Sequence, residues 1–168
     1  NVKIAVTSQH REMLDQVLNF FEIKPDYDLN IMEPNQTLHK LTSGLISRIT
    51  DEILLNETFD YVFVQGDTTT VLAASLAAFY QKIKVLHIEA GLRSNDLYSP
   101  FPEEINRVLT SKIAYYHFCP TEKSKQNLLT ENIKNNIEVV GNTVIDALFM
   151  GLEKIKISEE DTLKLKFE

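Results

Sequence analysis

A single cysteine, Cys119, leaves the 168-residue chain unable to form an intrachain disulfide. That scarcity fits a reducing, cytoplasmic setting, and within the apolar run Tyr115–Pro120 the thiol reads as a small buried side chain. Basic residues are also in short supply: 17 Lys and Arg stand against 24 Asp and Glu, a formal net charge of −7. This excludes a general binder of nucleic acid, which needs a basic face. It leaves room for an anionic nucleotide, because one helix N-terminus and one or two cations suffice for that. No apolar run reaches the roughly 18 residues a spanning helix requires, so no membrane partner is expected. No signal peptide is visible in a chain that starts at Asn1. The histidines His10, His39, His87 and His117 are scattered, which offers no metal-site spacing. The Gly-x-Gly-x-x-Gly fingerprint is missing as well, so nothing supports NAD binding.

What the chain does have is an ordinary globular composition, 43% hydrophobic and 24% charged, and enough length for one domain with a real core. Short β-rich runs alternate with longer helical ones. Val2–Thr7 reads as a strand and Gln9–Phe21 as a helix, with Met13, Leu14, Val17, Leu18 and Phe21 at helical spacing. Lys24–Pro34, with two prolines, reads as a loop. Thr37–Asn56 reads as a long amphipathic helix with Leu38, Leu41, Leu45, Ile49 and Ile53 on one stripe. Tyr61–Val64 is a near-continuous apolar run, as expected of a strand covered on both faces. Strands Lys84–Ile88, Tyr115–Cys119 and Ile137–Val140 follow, separated by helices. The last helix is expected over Thr143–Lys154, with a charged, linker-like tail. Such alternation predicts an α/β fold with a doubly wound parallel sheet and right-handed crossovers. Ligands of such sheets bind beyond the carboxyl ends of the strands, so the residues after Val64, Ile88 and Val140 matter most.

Two of those strand ends deliver carboxylates. Gln65-Gly66-Asp67-Thr68-Thr69-Thr70 follows the first, and either Asp67 or Thr68 caps the next helix or Asp67 faces the cleft. Glu89-Ala90-Gly91-Leu92-Arg93 follows the second, where Glu89 either pairs with Arg93 or joins Asp67. Carboxylates brought together raise one another's pKa, which is how an acid–base pair is made. Pro102-Glu103-Glu104-Ile105-Asn106-Arg107 opens the next helix, where Glu103 and Arg107, four apart, suit a routine surface pair.

These segments, in this order, resemble the non-hydrolysing UDP-N-acetylglucosamine 2-epimerases. The likeness is carried by Gln65–Thr70, His87–Arg93 and Tyr98–Arg107, and extends to Thr7–Gln16, Asp26–Met32 and Gly141–Asp146. It covers about residues 1–150. The resemblance implies a Rossmann-like N-terminal half of a glycosyltransferase-B-type two-domain fold, with 151–168 as a helix end and linker toward a second domain. It implies interconversion of UDP-GlcNAc and UDP-ManNAc through a 2-acetamidoglucal intermediate, without cofactor or metal. Asp67, Glu89 and Glu103 match the family's catalytic carboxylates, and Arg107, Gly66 and Thr68 match substrate-binding positions. Gln9, His10 and Gln36 resemble a site for a second UDP-GlcNAc acting as allosteric activator, although Asn35 stands where some members carry arginine. A homodimer is implied for the full-length enzyme. The family's opening strand and Gly-Thr-Arg-Pro-Glu-type loop are not in this sequence, so an edge or an internal slot of the sheet is expected to be unpaired. Two other readings stay open. One is a hydrolysing 2-epimerase, disfavoured because those relatives carry Gly-Asp-Arg and His-Gly-Gly where this chain has Gly66-Asp67-Thr68 and Glu89-Ala90-Gly91. The other is a non-catalytic nucleotide-sugar-binding module.

Overall fold

The structure, a computed structural model, describes residues 1–7, 11–33 and 35–167, with side chains described up to residue 156. In chain order it runs β1 (Ala5–Val6), α1 (Arg11–Phe20), β2 (Tyr27–Asp28), α2 (Leu38–Ile49), β3 (Tyr61–Gln65), α3 (Thr69–Tyr80), β4 (Lys84–Ile88), α4 (Glu103–Ile113), β5 (Tyr116–Cys119), α5 (Glu122–Thr130), β6 (Ile137–Val139) and α6 (Thr143–Phe167). Every strand pairing is parallel, as strand–helix alternation demands, because parallel neighbours need a crossover.

The sheet is in two pieces rather than one. β1 pairs with β2, and β3-β4-β5-β6 form a separate four-stranded sheet. The N-terminal end of β1 is tied toward β3 by Lys3 Nζ, 3.8 Å from Glu57, and its C-terminal end by Thr7 Oγ1, 3.1 Å from Thr70 Oγ1. The two sheets therefore run in the same direction side by side without ladder bonds between β1 and β3.

Three elements depart from the periodicity reading. β1 is shorter than Val2–Thr7. β2 lies inside the stretch that prolines mark as loop, held by Tyr27 N–H to Ile4 O (3.1 Å) and Leu29 N–H to Val6 O (2.9 Å); a two-residue strand leaves no alternation to read. α6 runs on to Phe167 instead of ending at Lys154, in keeping with the Glu, Lys and Leu content of that tail, all good helix formers. The stripe of α2 is as expected from Leu41 through Ile49, whereas Leu38 at its start is exposed, and a π-helical turn, Thr50–Leu54, then carries Ile53 into the core.

That core joins both sheets. Leu41, Leu45 and Ile49 of α2 pack with Leu29 and Ile31, with Val64 and Val85 of the larger sheet, and with Val71, Ala73, Ala77 and Ala78 of α3. An Ala-rich helix buries several sides at once because its small side chains let neighbours come close. Val62 and Val64 of β3 face this core, but Phe63 on the opposite face is 61% exposed, so β3 is covered on one face only. The more deeply buried strand is β4, between β3 and β5, where Val85, Leu86 and His87 are buried although Lys84 at its start is exposed. Among the described residues no helix is long and apolar enough to cross a membrane, and no group of three or more His, Cys, Asp or Glu is placed to hold a metal.

Gly91, just beyond β4, lies flush against the first turn of α5. A Cβ there would stand 2.2 Å from Ser124 O, and its φ is +83°. Gly141 has the same left-handed backbone (φ +82°) but no atom within 4 Å of a Cβ. Gly141→Ala should therefore cost only the roughly 1–2 kcal/mol of a left-handed residue, and Gly91→Ala about 3 kcal/mol or more, since α5 must also move. Urea unfolding of the two variants checks the difference; equal losses would contradict the close approach.

Candidate active site

β3 and β4 set the first two acids side by side. Gln65 stands opposite Ile88 in the ladder, and Gly66 N–H donates to Ile88 O at 3.1 Å, so Asp67 and Glu89 leave the sheet at the same rim. Gly66 turns the chain with φ +82°, a conformation that glycine adopts without steric penalty. Thr68 then caps α3, its Oγ1 accepting from Val71 N–H at 3.4 Å. The capping role thus falls to Thr68, and the Asp67 carboxylate is left to another partner.

The third acid arrives on α4, whose first turn packs against Asp67. Asn106 Nδ2 donates to Asp67 O at 2.8 Å, and Arg107 Nη2 meets Asp67 Oδ2 at 2.5 Å. Glu103 begins this helix one turn ahead of Arg107, on the same flank. The surface pair suggested by that spacing does not form. Arg107 instead bonds Glu104 through Nη1 at 3.0 Å.

Glu104 is the residue on which periodicity is silent. Its side chain is 1% exposed, and Oε1 accepts the backbone N–H groups of Ser94 and Asn95, each at 3.0 Å. Burial alone would raise its carboxyl; the Ser94 amide, the Arg107 guanidinium and the Asn95 amide together outweigh that and hold it below the ordinary value. Glu104 thereby folds the loop after β4 back onto α4 and fixes Arg107. The inner face of α4 is polar throughout, with Glu104, Asn106, Thr110 and Ser111 all buried. A helix with a polar buried face is the signal that could have revealed it, since such groups need partners.

Glu89 is left free by a similar exchange of partners. The pairing with Arg93 suggested by proximity does not form, because Arg93 is buried and turned to Glu131 (2.6 and 3.0 Å), Ser111 Oγ (3.0 Å) and Leu92 O (2.7 Å). Glu89 has φ +68°, sparsely populated for a residue with a Cβ. Its Oε2 lies 3.7 Å from where a Cβ on Gly66 would stand, so the carboxylate overlooks the Asp67 turn. Among the described residues neither Glu89 nor Glu103 has a hydrogen-bond or ion-pair partner. The structure thus brings Asp67, Glu89, Glu103 and Arg107 to one rim, with Gly66 and Thr68 in the turn between them.

Of the candidate activator residues, Gln9 and His10 lie outside the described residues. Gln36 is turned into its own loop, with Nε2 donating to Ile31 O at 3.3 Å. A cavity of about 400 Å³ beneath β1, lined in part by Val6, Arg11, Asp15 and Asp28, is away from the acids. Cys119 is buried in β5, and burial pushes its thiol up to about 11, so it is a packing residue without thiolate chemistry at neutral pH.

A parallel α/β domain with acids and an arginine gathered at the carboxyl rim is the Rossmann-like unit of the glycosyltransferase-B type. Within that class the chain belongs to the UDP-N-acetylglucosamine 2-epimerase family, whose family model matches residues 1–167. A UDP-N-acetylglucosamine 2-epimerase of Neisseria meningitidis serogroup A is 60% identical over 167 residues, covering 99% of this chain and 44% of that protein. One of Escherichia coli K12 is 57% identical over 159 residues, covering 94% and 42%. Among solved structures, UDP-GlcNAc 2-epimerase from Neisseria meningitidis bound to UDP-GlcNAc superimposes with a TM-score of 0.90 at 59% identity, over 97% of this chain and 44% of that one. The Methanocaldococcus jannaschii enzyme in complex with UDP-GlcNAc and UDP gives 0.78 at 47% identity, over 91% and 41%. The chain spans less than half the length of these relatives.

Two histidines lie buried beneath the rim, facing one another across the β4–β5 ladder. Burial lowers His87, partly countered by its bond to Gly66 O, and burial with the neighbouring His87 and Arg93 lowers His117 to about 4. Above about pH 6.5 both are neutral, folded or unfolded. Below it the unfolded chain takes up protons that the folded chain refuses, so stability falls as pH drops from 6.5 toward 4. From His117 alone the loss between pH 7 and pH 5 should be about 2 kcal/mol. Urea titrations at the two pH values check this, and His117→Gln, which cannot titrate, should lose correspondingly less.

Proposed function

We propose that this chain supplies the acid-bearing side of the active site in a non-hydrolysing epimerase that interconverts UDP-GlcNAc and UDP-ManNAc. The observation that supports it most directly is the meeting of Asp67, Glu89 and the first turn of α4 at one rim, with two carboxylates unpartnered among the described residues and the third on Arg107. In this reading a carboxylate takes the C2 proton as the C1–O bond to UDP breaks, and the electron pair becomes the C1=C2 bond of 2-acetamidoglucal. A proton then returns to C2 on the opposite face and a UDP oxygen re-forms the bond to C1. Inversion at C2 needs proton traffic on both faces, hence more than one acid, and Asp67, Glu89 and Glu103 are the candidates. Arg107, with Gly66 and Thr68, serves substrate binding. The chemistry needs no metal or cofactor. The relatives' greater length argues that further contacts come from residues outside this sequence, and a homodimer, a cytoplasmic setting and activation by a second UDP-GlcNAc belong to the same proposal.

In the full-length enzyme, Asp67→Asn, Glu89→Gln and Glu103→Gln keep shape and hydrogen bonding but remove the titrating proton. Each should lower kcat by roughly 10²–10⁴-fold, with KM changing far less. Deuterium incorporation at C2 of UDP-GlcNAc in D₂O, followed by proton NMR, is the measurement. A variant that exchanges C2–H at the wild-type rate has a residue with no part in proton transfer. Release of free ManNAc by the wild type would show the hydrolysing reaction instead.

A further inference from the structure

We infer that His87 and Asn106 are positioning residues that aim the Asp67 carboxylate. The inference rests on Asp67 acting in the reaction proposed above. The turn that carries Asp67 has two backbone carbonyls, and each is taken by a buried side chain from a different element. His87 Nε2, on β4, lies 2.8 Å from Gly66 O, and Asn106 Nδ2, on α4, lies 2.8 Å from Asp67 O. His87 is fully buried and Asn106 is 3% exposed. A carbonyl oxygen can only accept, so the His87 proton resides on Nε2. Its Nδ1 is a buried acceptor with no partner among the described residues.

The geometry says what these two bonds accomplish. A peptide unit is planar, so fixing the direction of one carbonyl fixes the plane of that unit. The planes 66–67 and 67–68 flank the Asp67 Cα, and holding both sets the backbone torsions of Asp67. Only the side-chain torsions remain, and Arg107 fixes those at Oδ2. The tethers are needed because Gly66, which the left-handed turn requires, is the residue with the most conformational freedom to lose. Without them the turn has other orientations open to it, and a displacement of about 1 Å of a reacting group can cost on the order of 100-fold in rate.

The test separates the donor from the volume it fills. The amide nitrogen of glutamine reaches about as far as histidine Nε2, whereas that of asparagine falls short. In the full-length enzyme His87→Asn and Asn106→Leu should lower kcat for C2–H exchange roughly 10- to 100-fold with KM within about 3-fold. His87→Gln should recover most of the rate. Melting temperatures measured on the same variants separate this from simple loss of packing, which would lower stability alike in His87→Gln and His87→Asn without splitting their rates. Wild-type kcat in His87→Asn, or an equal loss in His87→Gln and His87→Asn, overturns the role of His87. Should the His87 variants fail to fold, Asn106→Leu decides: an unchanged kcat overturns the inference. The reaction itself is tested separately, since a wild-type enzyme without C2 exchange, or an Asp67→Asn variant that exchanges normally, removes the activity or the role of Asp67 before any positioning variant is read.

Discussion

The site depends on one guanidinium shared between two carboxylates. Arg107 holds Glu104, which is fully buried, with one amine group and Asp67, at the sheet's carboxyl rim, with another. Burying these charges is costly unless each is paired and bonded, and Glu104 meets that condition by accepting two backbone amides as well, whereas Arg107 Nε has no partner among the described residues. The result is that loop, helix and strand end are one electrostatic unit. Loss of Arg107 would leave the buried Glu104 carboxylate without its ion pair, and loss of Glu104 would leave Arg107 with Asp67 alone, so these two residues belong to the architecture as much as to any chemistry.

With that demand met by Glu104, the remaining acids are released from structural duty. Arg93 is occupied by Glu131 and Arg107 by Glu104 and Asp67, so neither cation neutralises Glu89 or Glu103. Glu89 is also held in a left-handed backbone conformation, which costs on the order of 1–3 kcal/mol and persists only where the surroundings enforce it. A strained residue with an idle carboxylate beside a glycine turn is the combination expected where a fold serves chemistry at some expense to stability.

Much of this was legible in the sequence, and the rest was hidden for identifiable reasons. Alternating runs report local period, and they located the helices and the larger sheet because each has enough residues to show one. β2, at two residues, is below that threshold. Strand ends could be placed, so Asp67 and Glu89 could be brought to one rim. Pairing could not, because spacing along the chain suggests only near neighbours. Glu89–Arg93 and Glu103–Arg107 were the pairs in reach, whereas the partners that formed lie at Arg93–Glu131 and Asp67–Arg107, 38 and 40 residues apart. His87 was concealed differently. It sits in the run KVLHI, where a polar residue among apolar ones looks like noise until its acceptor, Gly66 O in the turn after the adjoining strand, is seen.

The division of the sheet has a mechanical corollary. β3 through β6 are laced by continuous backbone ladders and behave as a stiff plate. Among the described residues β1 and β2 are attached to that plate through side chains, by the shared apolar core and by contacts at Lys3, Thr7 and Tyr27. Apolar contacts are non-directional and tolerate sliding, whereas a hydrogen-bonded ladder does not. Asp67 and Glu89 follow β3 and β4, and Glu103 and Arg107 stand on α4, which is bonded to the Asp67 turn, so the rim's geometry is set within the laced sheet and not across the seam beside β3.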